Sequence, residues 1–274
     1  MSDIQELSFI GGGNMASAII DSLILSKTVL PENISVYDTS QDRCDYLKSK
    51  GVHIAKTSVE LAQKKGILFL AVKPQVIDDV LHNIRGKIQS TCVVSIAAGI
   101  SVSHIKNIIG DNIPVVRALP NTPMLVLEGM TVVAEAPSVS ADIFDFILSV
   151  FKASGEIMVL PEKRINEVIP LSSSSPAFFF RMLKAMAESG ARSGISFDEA
   201  FTISAVAMCG SAGYALKSGK SVDELIRQVS SPGGTTIAAL SAFDDFVFEK
   251  CIEEAFKRCV SRAYELGTNW KLVY

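Results

Sequence analysis

A glycine-rich run near the start of the chain has the spacing of a phosphate-binding loop. Gly11, Gly13 and Ala16 fit the pattern G-x-G-x-x-A, between a short β-prone run and a helical pattern. In such a loop the glycines permit a tight turn and a close approach of pyrophosphate to the backbone, and the helix N-terminus attracts its charge. We therefore predict a dinucleotide site whose loop consists of Ile10, Gly11, Gly12, Gly13, Asn14 and Met15.

The polar residues after the second predicted strand bear on which dinucleotide binds. A carboxylate at Asp38 favours NAD, because it accepts hydrogen bonds from ribose hydroxyls and repels a 2′-phosphate. Against this, the hydroxyls of Thr39 and Ser40, the start of the next helix and Arg43 offer a place for a phosphate. Asp38 could also be only a turn or cap residue, so these residues leave the choice between NAD and NADP open.

A second glycine-containing turn lies in the C-terminal part of the chain. Pro232, Gly233 and Gly234 follow one predicted helix, and Thr235 and Thr236 open the next. The backbone N–H groups at such a helix start are unencumbered and carry partial positive charge. The pattern predicts a carboxylate-binding site, with a threonine-capped interhelical turn as the structural alternative.

Residue types that support metal or nucleophilic chemistry are few and scattered. The three histidines and five cysteines show no ligand spacing, so we expect no metal site, and reduced thiols as in a cytoplasmic protein. His104 is a candidate proton relay, although a surface histidine is the favoured interpretation.

Charge and hydropathy exclude other classes of function. A net charge of −3 without a basic stripe gives no reason to expect nucleic-acid binding. No apolar run approaches the roughly 20 residues of a membrane-spanning helix. The first residues, with Asp3 and Glu6, lack the features of a secretory signal.

The elements that must position these loops fall into two groups. Up to residue 161, apolar runs alternate with helical patterns, which is typical of a doubly wound, Rossmann-like α/β sheet. The predicted strands are 6–10, 34–37, 67–72, 93–98, 115–119, 130–134 and 157–160.

After residue 161, strand patterns nearly vanish and helix signals take over. Capping-box patterns begin at Ser196 and Ser221, a further helix is expected over 175–189, and the last over 247–266, ending near Gly267. Apolar residues such as Ile203, Val206 and Tyr214 lie on more than one helix face, which favours burial against a second copy. We predict a dinucleotide-binding domain over 1–161 and an all-helical substrate and dimerisation domain over 162–274.

Four further motifs accompany the glycine loop in a fixed order, and together they cover nearly the whole chain. They are A-V-K-P at 71–74, S-I-A-A-G at 95–99, R-A-L-P-N-T-P at 117–123 and S-S-P-G-G-T-T at 230–236. The set closely resembles the pyrroline-5-carboxylate reductase family. The resemblance implies NAD(P)H-dependent reduction of the cyclic imine Δ1-pyrroline-5-carboxylate to proline, the last step of proline synthesis, by dimers or larger homo-oligomers whose sites draw on both chains. It favours NADP(H), with NAD(H) possible because of Asp38.

The resemblance also implies roles for individual residues. Thr236 is expected to be catalytic, reaching the ring nitrogen through its hydroxyl. The expected substrate-binding residues are Ser231, Pro232, Gly233, Gly234, Thr235 and Thr236. Besides the glycine loop, the expected cofactor-binding residues are Asp38, Ser40, Ser58, Ala71, Val72, Lys73, Pro74, Ala97, Ala98, Gly99, Pro120 and Asn121.

Two positions depart from the family pattern. The family usually has glycine at the position of Ser173 and often tyrosine at that of Phe178. A positive φ at Ser173 would strain it, and the lost tyrosine hydroxyl would remove a polar contact. We expect activity to survive both changes.

Two other functions remain as alternatives. A β-hydroxyacid dehydrogenase would need a catalytic lysine followed four residues later by asparagine, whereas Lys184 is followed by Glu188. A non-catalytic regulatory paralogue would bind dinucleotide without turnover, but the chain retains Thr236 and the Pro-Asn-Thr-Pro loop.

Overall fold

A single eight-stranded sheet organises the N-terminal part of the chain. The computed structural model describes residues 6–269, with side chains described to 267. The strand order is β3-β2-β1-β4-β5-β6-β7-β8, parallel except for the antiparallel β6–β7 pair. The strands are β1 Leu7–Ile10, β2 Ile34–Tyr37, β3 His53–Ile54, β4 Ile67–Leu70, β5 Cys92–Ser95, β6 Val115–Leu119, β7 Gly129–Ala134 and β8 Gly155–Leu160.

This arrangement confirms the Rossmann-like sheet predicted from the sequence and corrects two details, the missing β3 and the ends of β4 and β5. β3 was not predicted, because a strand of two residues is too short to show an alternation of apolar and polar side chains. β4 and β5 end before Ala71 and Ile96, so the residues expected to close those strands instead form the turns that follow. β7 runs antiparallel to β6 because the connection between them is shorter than the dozen or more residues of a parallel crossover.

The first helices cover both faces of this sheet. They are α1 Asn14–Leu25, α2 Gln41–Ser49, α3 Ser58–Ala62, α4 Ile77–Ile84, α5 Val102–Ile109, α6 Ala141–Lys152 and α7 Ile165–Val168. Successive side chains of a strand point to opposite faces. In β4, Ile67 and Phe69 accordingly join one apolar cluster, and Leu68 and Leu70 the other. Phe69 stacks on Phe9 at 4.5 Å between ring centroids, so the sheet is buried on both sides where the ligand-binding turns begin.

The remaining helices follow without further strands in the described part of the chain. They are α8 Ser175–Arg192, α9 Phe197–Ser218, α10 Val222–Gln228, α11 Thr235–Asp245 and α12 Phe248–Asn269. Both predicted capping boxes form, since Ser196 pairs reciprocally with Glu199 and Ser221 with Glu224.

The last helix was predicted to end near Gly267, and the structure describes it as far as Asn269. A Cβ on Gly267 would lie 2.6 Å from the carbonyl oxygen of Gly99. This glycine therefore permits a close approach of two backbones, and glycine was wrongly interpreted as a stop signal.

The described residues divide into two compact units, one formed by residues 6–176 with 258–269 and the other by residues 177–257. This division lies after the boundary expected near residue 161. Ile165 and Ile169 are buried with Leu119, Val132 and Ala263, so the first residues past the sheet, and the end of α12, pack as part of the sheet unit. None of the helices within residues 6–269 is long and apolar enough to cross a membrane.

Candidate active site

The glycine loop after β1 has a conformation that requires its first glycine. Gly11 has φ +100°, and its N–H donates to the carbonyl oxygen of Tyr37 at 2.8 Å. A Cβ at this position would lie 2.5 Å from the carbonyl oxygen of Ala71. Residues with a Cβ rarely adopt such a φ, and the backbone of Ala71 leaves no room, so this turn depends on glycine.

The third glycine opens a cradle at the N-terminus of α1. Gly13 is the N-cap residue with φ −65°, and a Cβ built on it would meet nothing within 4 Å. No side chain caps α1, and its first turn holds no acidic residue. The N–H groups of that turn are therefore available to an anion, and no protein atom fills the space beside Gly13.

Asp38 fixes the shape of this loop. Its carboxylate accepts the N–H of Gly12 at 2.6 Å and that of Ser40 at 2.8 Å. The turn or cap role considered from the sequence is therefore present in the structure. Arg43, at the start of α2, hydrogen-bonds to the side chain of Asn14 at the start of α1. A guanidinium thus lies beside the cradle, where it would favour a cofactor that carries an extra phosphate.

The turns after β4 and β5 lie at the same carboxyl edge of the sheet. Ala71 donates its N–H to Ile10 at 2.8 Å, and exposed Lys73 begins the 3-10 turn Pro74–Val76. Gly99 has φ +79°, and a Cβ on it would lie 2.9 Å from the carbonyl oxygen of Ala263 in α12. The S-I-A-A-G turn is therefore packed tightly against the last helix.

Ser58 is another of the expected cofactor residues. Its side chain is buried at the start of α3 and accepts a hydrogen bond from Asn83 of α4 at 2.9 Å. In this structure Ser58 connects two helices.

The Pro120–Asn121 turn after β6 is held by the segment before α8. Buried Asn121 accepts the N–H of Met130 at 2.8 Å and donates to the carbonyl oxygen of Ser172 at 3.3 Å. Ser173 donates its hydroxyl to Pro120 at 3.2 Å. The positive-φ residues other than glycine in the described chain are Lys27, Leu127 and Val247. Ser173 therefore carries no such strain, and its hydroxyl gives the turn a contact that glycine could not.

The turn before α11, in the helical unit, resembles the glycine loop before α1, because a glycine is again the N-cap residue of a helix without a side-chain cap. Gly233 has φ +72°, Gly234 is the N-cap residue, and its N–H donates to Ser231 at 2.9 Å. No side chain caps α11 and its first turn holds no acidic residue, so its N–H groups are available to a carboxylate. Thr236 lies half-buried in this first turn.

The sequence-based prediction gave no individual role to Ser230 or Arg117, and only a disfavoured one to His104. Ser230 has a buried hydroxyl with no hydrogen-bond partner among the described residues, and its place in S-S-P-G-G-T-T was the available signal. Arg117 is buried within β6, and an arginine in an apolar strand run could have drawn attention to it. His104 lies 2.6 Å from Asp78 through Nε2, so it is held by a partner on α4. Within residues 6–269 no three His, Cys, Asp or Glu side chains are grouped to hold a metal ion.

The geometry thus collects the predicted dinucleotide residues on one sheet edge and the predicted carboxylate loop on a helix start. Two family models match these same parts of the chain. The model described as NADP oxidoreductase, coenzyme F420-dependent, matches residues 6–99, and the pyrroline-5-carboxylate reductase dimerisation model matches residues 162–266.

Full-length relatives agree with both matches. The chain is 36% identical to a pyrroline-5-carboxylate reductase of Escherichia coli, over 96% of this chain and 98% of the relative. It is 35% identical to the Synechocystis enzyme over 96% and 98%. The solved structure of pyrroline-5-carboxylate reductase from Coxiella burnetii superposes with a TM-score of 0.87 at 31% identity, covering 97% of this chain and 100% of that one. The chain belongs to the pyrroline-5-carboxylate reductase family.

Proposed function

We propose that this protein catalyses the NAD(P)H-dependent reduction of Δ1-pyrroline-5-carboxylate to L-proline, with NADP(H) as the favoured cofactor. The observation that carries the proposal is the pair of uncapped helix starts, each preceded by glycine. The helix start at Gly13 suits a pyrophosphate and the one at Gly234 suits a small carboxylate. The substrate has one carboxylate and one cyclic imine, and NADPH, when bound, supplies the hydride for the imine carbon.

In this proposal the residues of the chain mainly bind and orient the cofactor and the substrate. The N–H groups of Gly13 and the first turn of α1 hold the pyrophosphate, and the loop from Ser231 to Thr235 holds the substrate carboxylate. The hydroxyl of Thr236 hydrogen-bonds at the ring nitrogen and steadies its proton. A protonated imine is already electrophilic, so positioning and one hydrogen bond suffice without a strong general base.

The alternative as a β-hydroxyacid dehydrogenase has less support. Lys184, which would be its catalytic lysine, has a largely exposed side chain and pairs with Glu188 at 3.7 Å one helical turn away. That is the geometry of an ordinary surface i,i+4 pair.

Initial rates with Δ1-pyrroline-5-carboxylate test the function directly. We expect turnover with both cofactors and a higher kcat/KM with NADPH than with NADH, because Arg43 lies beside the loop and Asp38 is already engaged by two N–H groups. Oxidation of the reduced cofactor and formation of proline should agree in amount. Tight NADPH binding without turnover would instead support the regulatory paralogue, and preference for NADH would show that Asp38 governs cofactor choice.

The proposal includes a homodimer or larger homo-oligomer formed through the helical unit. None of the residues of α10 or α11, both fully described, is buried. In α9 only Ala200 and Ser204 are buried, whereas Val206 is 68% exposed and Leu216 87%. Apolar surface left this open on neighbouring helices is typical of a face that another subunit covers.

A charge on this face should dissociate the oligomer. For Val206→Glu we expect a shift to monomer in sedimentation velocity and a loss of at least tenfold in activity, because an unpaired carboxylate would be buried in the interface. Leu30→Glu, at an exposed apolar residue of the sheet unit, is the control and should leave the sedimentation coefficient unchanged. A Val206→Glu protein that sediments like the natural oligomer would contradict this assignment of the interface.

The proposed location is the cytoplasm. All five cysteines are free thiols in the structure, and reducing compartments keep cysteines in this state.

A further inference from the structure

A buried arginine lies beside the turn that follows β5. Arg117 is 3% exposed in β6, and in the parallel register it is the partner of Ser95, the last residue of β5. Burial lowers the pKa of Arg117, and the nearby charges of Glu162 and Glu167 oppose that effect. A charge taken out of water in this way is costly unless neighbouring groups compensate it.

The compensating groups connect three separate segments of the sheet unit. Arg117 donates through Nη2 to Asn166 of α7 at 2.7 Å, and its Nη1 lies 3.9 Å from Oε1 of Glu162. The same Glu162 oxygen accepts the N–H of Val102 at 2.7 Å. Val102 is the first residue of α5 and lies three positions beyond Gly99. One carboxylate therefore joins the buried arginine to the exit of the S-I-A-A-G turn.

The other side of that turn is fixed by α12. Gly99 lies against the carbonyl oxygen of Ala263, and the adjacent Tyr264 donates its hydroxyl to Glu167 at 2.7 Å. This hydrogen bond raises the pKa of Tyr264. The turn is thus held at its exit by Glu162 and across its surface by α12. Glu162 and Glu167, which make these two connections, both lie in the segment between β8 and α8.

We propose that Glu162, which lies beside the buried charge of Arg117, is a positioning residue that holds the turn of Ala97, Ala98 and Gly99 in the shape that receives the nicotinamide half of the cofactor. Glu162 acts through the N–H of Val102 and touches neither substrate nor cofactor. The inference rests on the proposed function, and it takes the small residues Ala97, Ala98 and Gly99 as the backbone against which the nicotinamide ring lies. The adenosine half is held elsewhere, by the Gly11–Gly13 loop and the residues near Asp38. Loss of Glu162 should therefore weaken binding of the nicotinamide half and leave binding of the adenosine half nearly unchanged.

The test compares two ligands on matched variants. Dissociation constants for NADPH and for 2′,5′-ADP, which lacks the nicotinamide half, are measured by calorimetry on the full chain. For Glu162→Ala we expect about tenfold weaker NADPH binding, as for the loss of one hydrogen bond to a charged group, and 2′,5′-ADP binding within about twofold of the natural protein. Glu162→Gln, whose amide oxygen can still accept the N–H of Val102, should bind NADPH within about threefold. Val150→Ala, in the core under α6, is the control for general destabilisation and should leave both constants unchanged.

Amide hydrogen exchange supplies a readout that needs no cofactor. Exchange in residues 97–102 should be faster in Glu162→Ala than in the natural protein and close to natural in Glu162→Gln. Equal loss of both ligands in Glu162→Ala, a Glu162→Gln protein as weak as Glu162→Ala, or unchanged exchange would each overturn the inference. A natural protein that fails to bind NADPH would refute the proposed function, while the exchange measurement would still decide whether Glu162 holds the turn.

Discussion

Replacing Thr236 with valine is expected to lower kcat/KM for Δ1-pyrroline-5-carboxylate about a hundredfold, the usual cost of removing one positioned hydrogen-bonding group from a reacting site. Valine keeps the shape of threonine and removes the hydroxyl. Since Thr236 lies in the first turn of α11, the backbone N–H groups that would bind the carboxylate stay in place. Initial rates should therefore show a loss mainly in kcat, with the affinity for NADPH unchanged.

Two further variants make this result specific to the hydroxyl. Thr236→Ser restores the hydroxyl and should recover most of the activity. Ser241→Ala removes a hydroxyl from the same helix, one that donates to the carbonyl oxygen of Ala238 at 2.9 Å, and should remain fully active. A Thr236→Val enzyme with natural kcat would show that the imine needs no hydrogen bond from this residue.

Replacing Gly13 with alanine is expected to weaken cofactor binding while leaving the fold intact. The backbone of Gly13 has φ −65°, which alanine adopts freely, and its Cβ would meet no protein atom within 4 Å. The methyl group would instead occupy the space where a phosphate approaches the N–H groups of α1. Losing one or two charge-assisted hydrogen bonds corresponds to about 10- to 100-fold weaker binding of NADPH.

Thermal unfolding distinguishes this effect from damage to the structure. The Tm of Gly13→Ala should stay within a few degrees of that of the natural protein, because alanine restricts the unfolded chain but is a weaker N-cap residue than glycine. Gly11→Ala is the matched contrast, since its Cβ would lie 2.5 Å from Ala71 at a φ of +100°. That variant should have a lower Tm than the natural protein and should also lose NADPH binding. If Gly13→Ala bound NADPH normally, the pyrophosphate would have to lie elsewhere.

The sequence predicted those features of the fold that depend on local pattern. Continuous apolar runs marked the buried strands, and the serine–glutamate pairs beginning at Ser196 and Ser221 marked two helix starts that form as expected. The glycine loop was recognisable because strand, turn and helix are consecutive in the chain. The family was recognisable because its motifs appear in a fixed order.

Features that depend on contacts between distant residues were not predictable. Asp38 was considered for its effect on a ribose, yet its bond to Gly12 joins residues 26 positions apart. Glu162 and Val102 are 60 positions apart, and nothing in their local sequence links them. The glycine at 267 was misread for the same reason, since the backbone it approaches belongs to Gly99.

The return of the last helix to the sheet unit affects the order in which the protein can fold as it is made. Domains generally fold as units while the chain leaves the ribosome, N-terminal part first. Here residues 258–269 complete the unit that residues 6–176 begin, and the whole 177–257 segment is synthesised between them. Gly99 therefore acquires its contact with Ala263 only after the 177–257 segment has been translated. Ribosome-bound nascent chains would carry the glycine loop of an unfinished cofactor domain, and the turn after β5 would be packed only once Ala263 has left the ribosome.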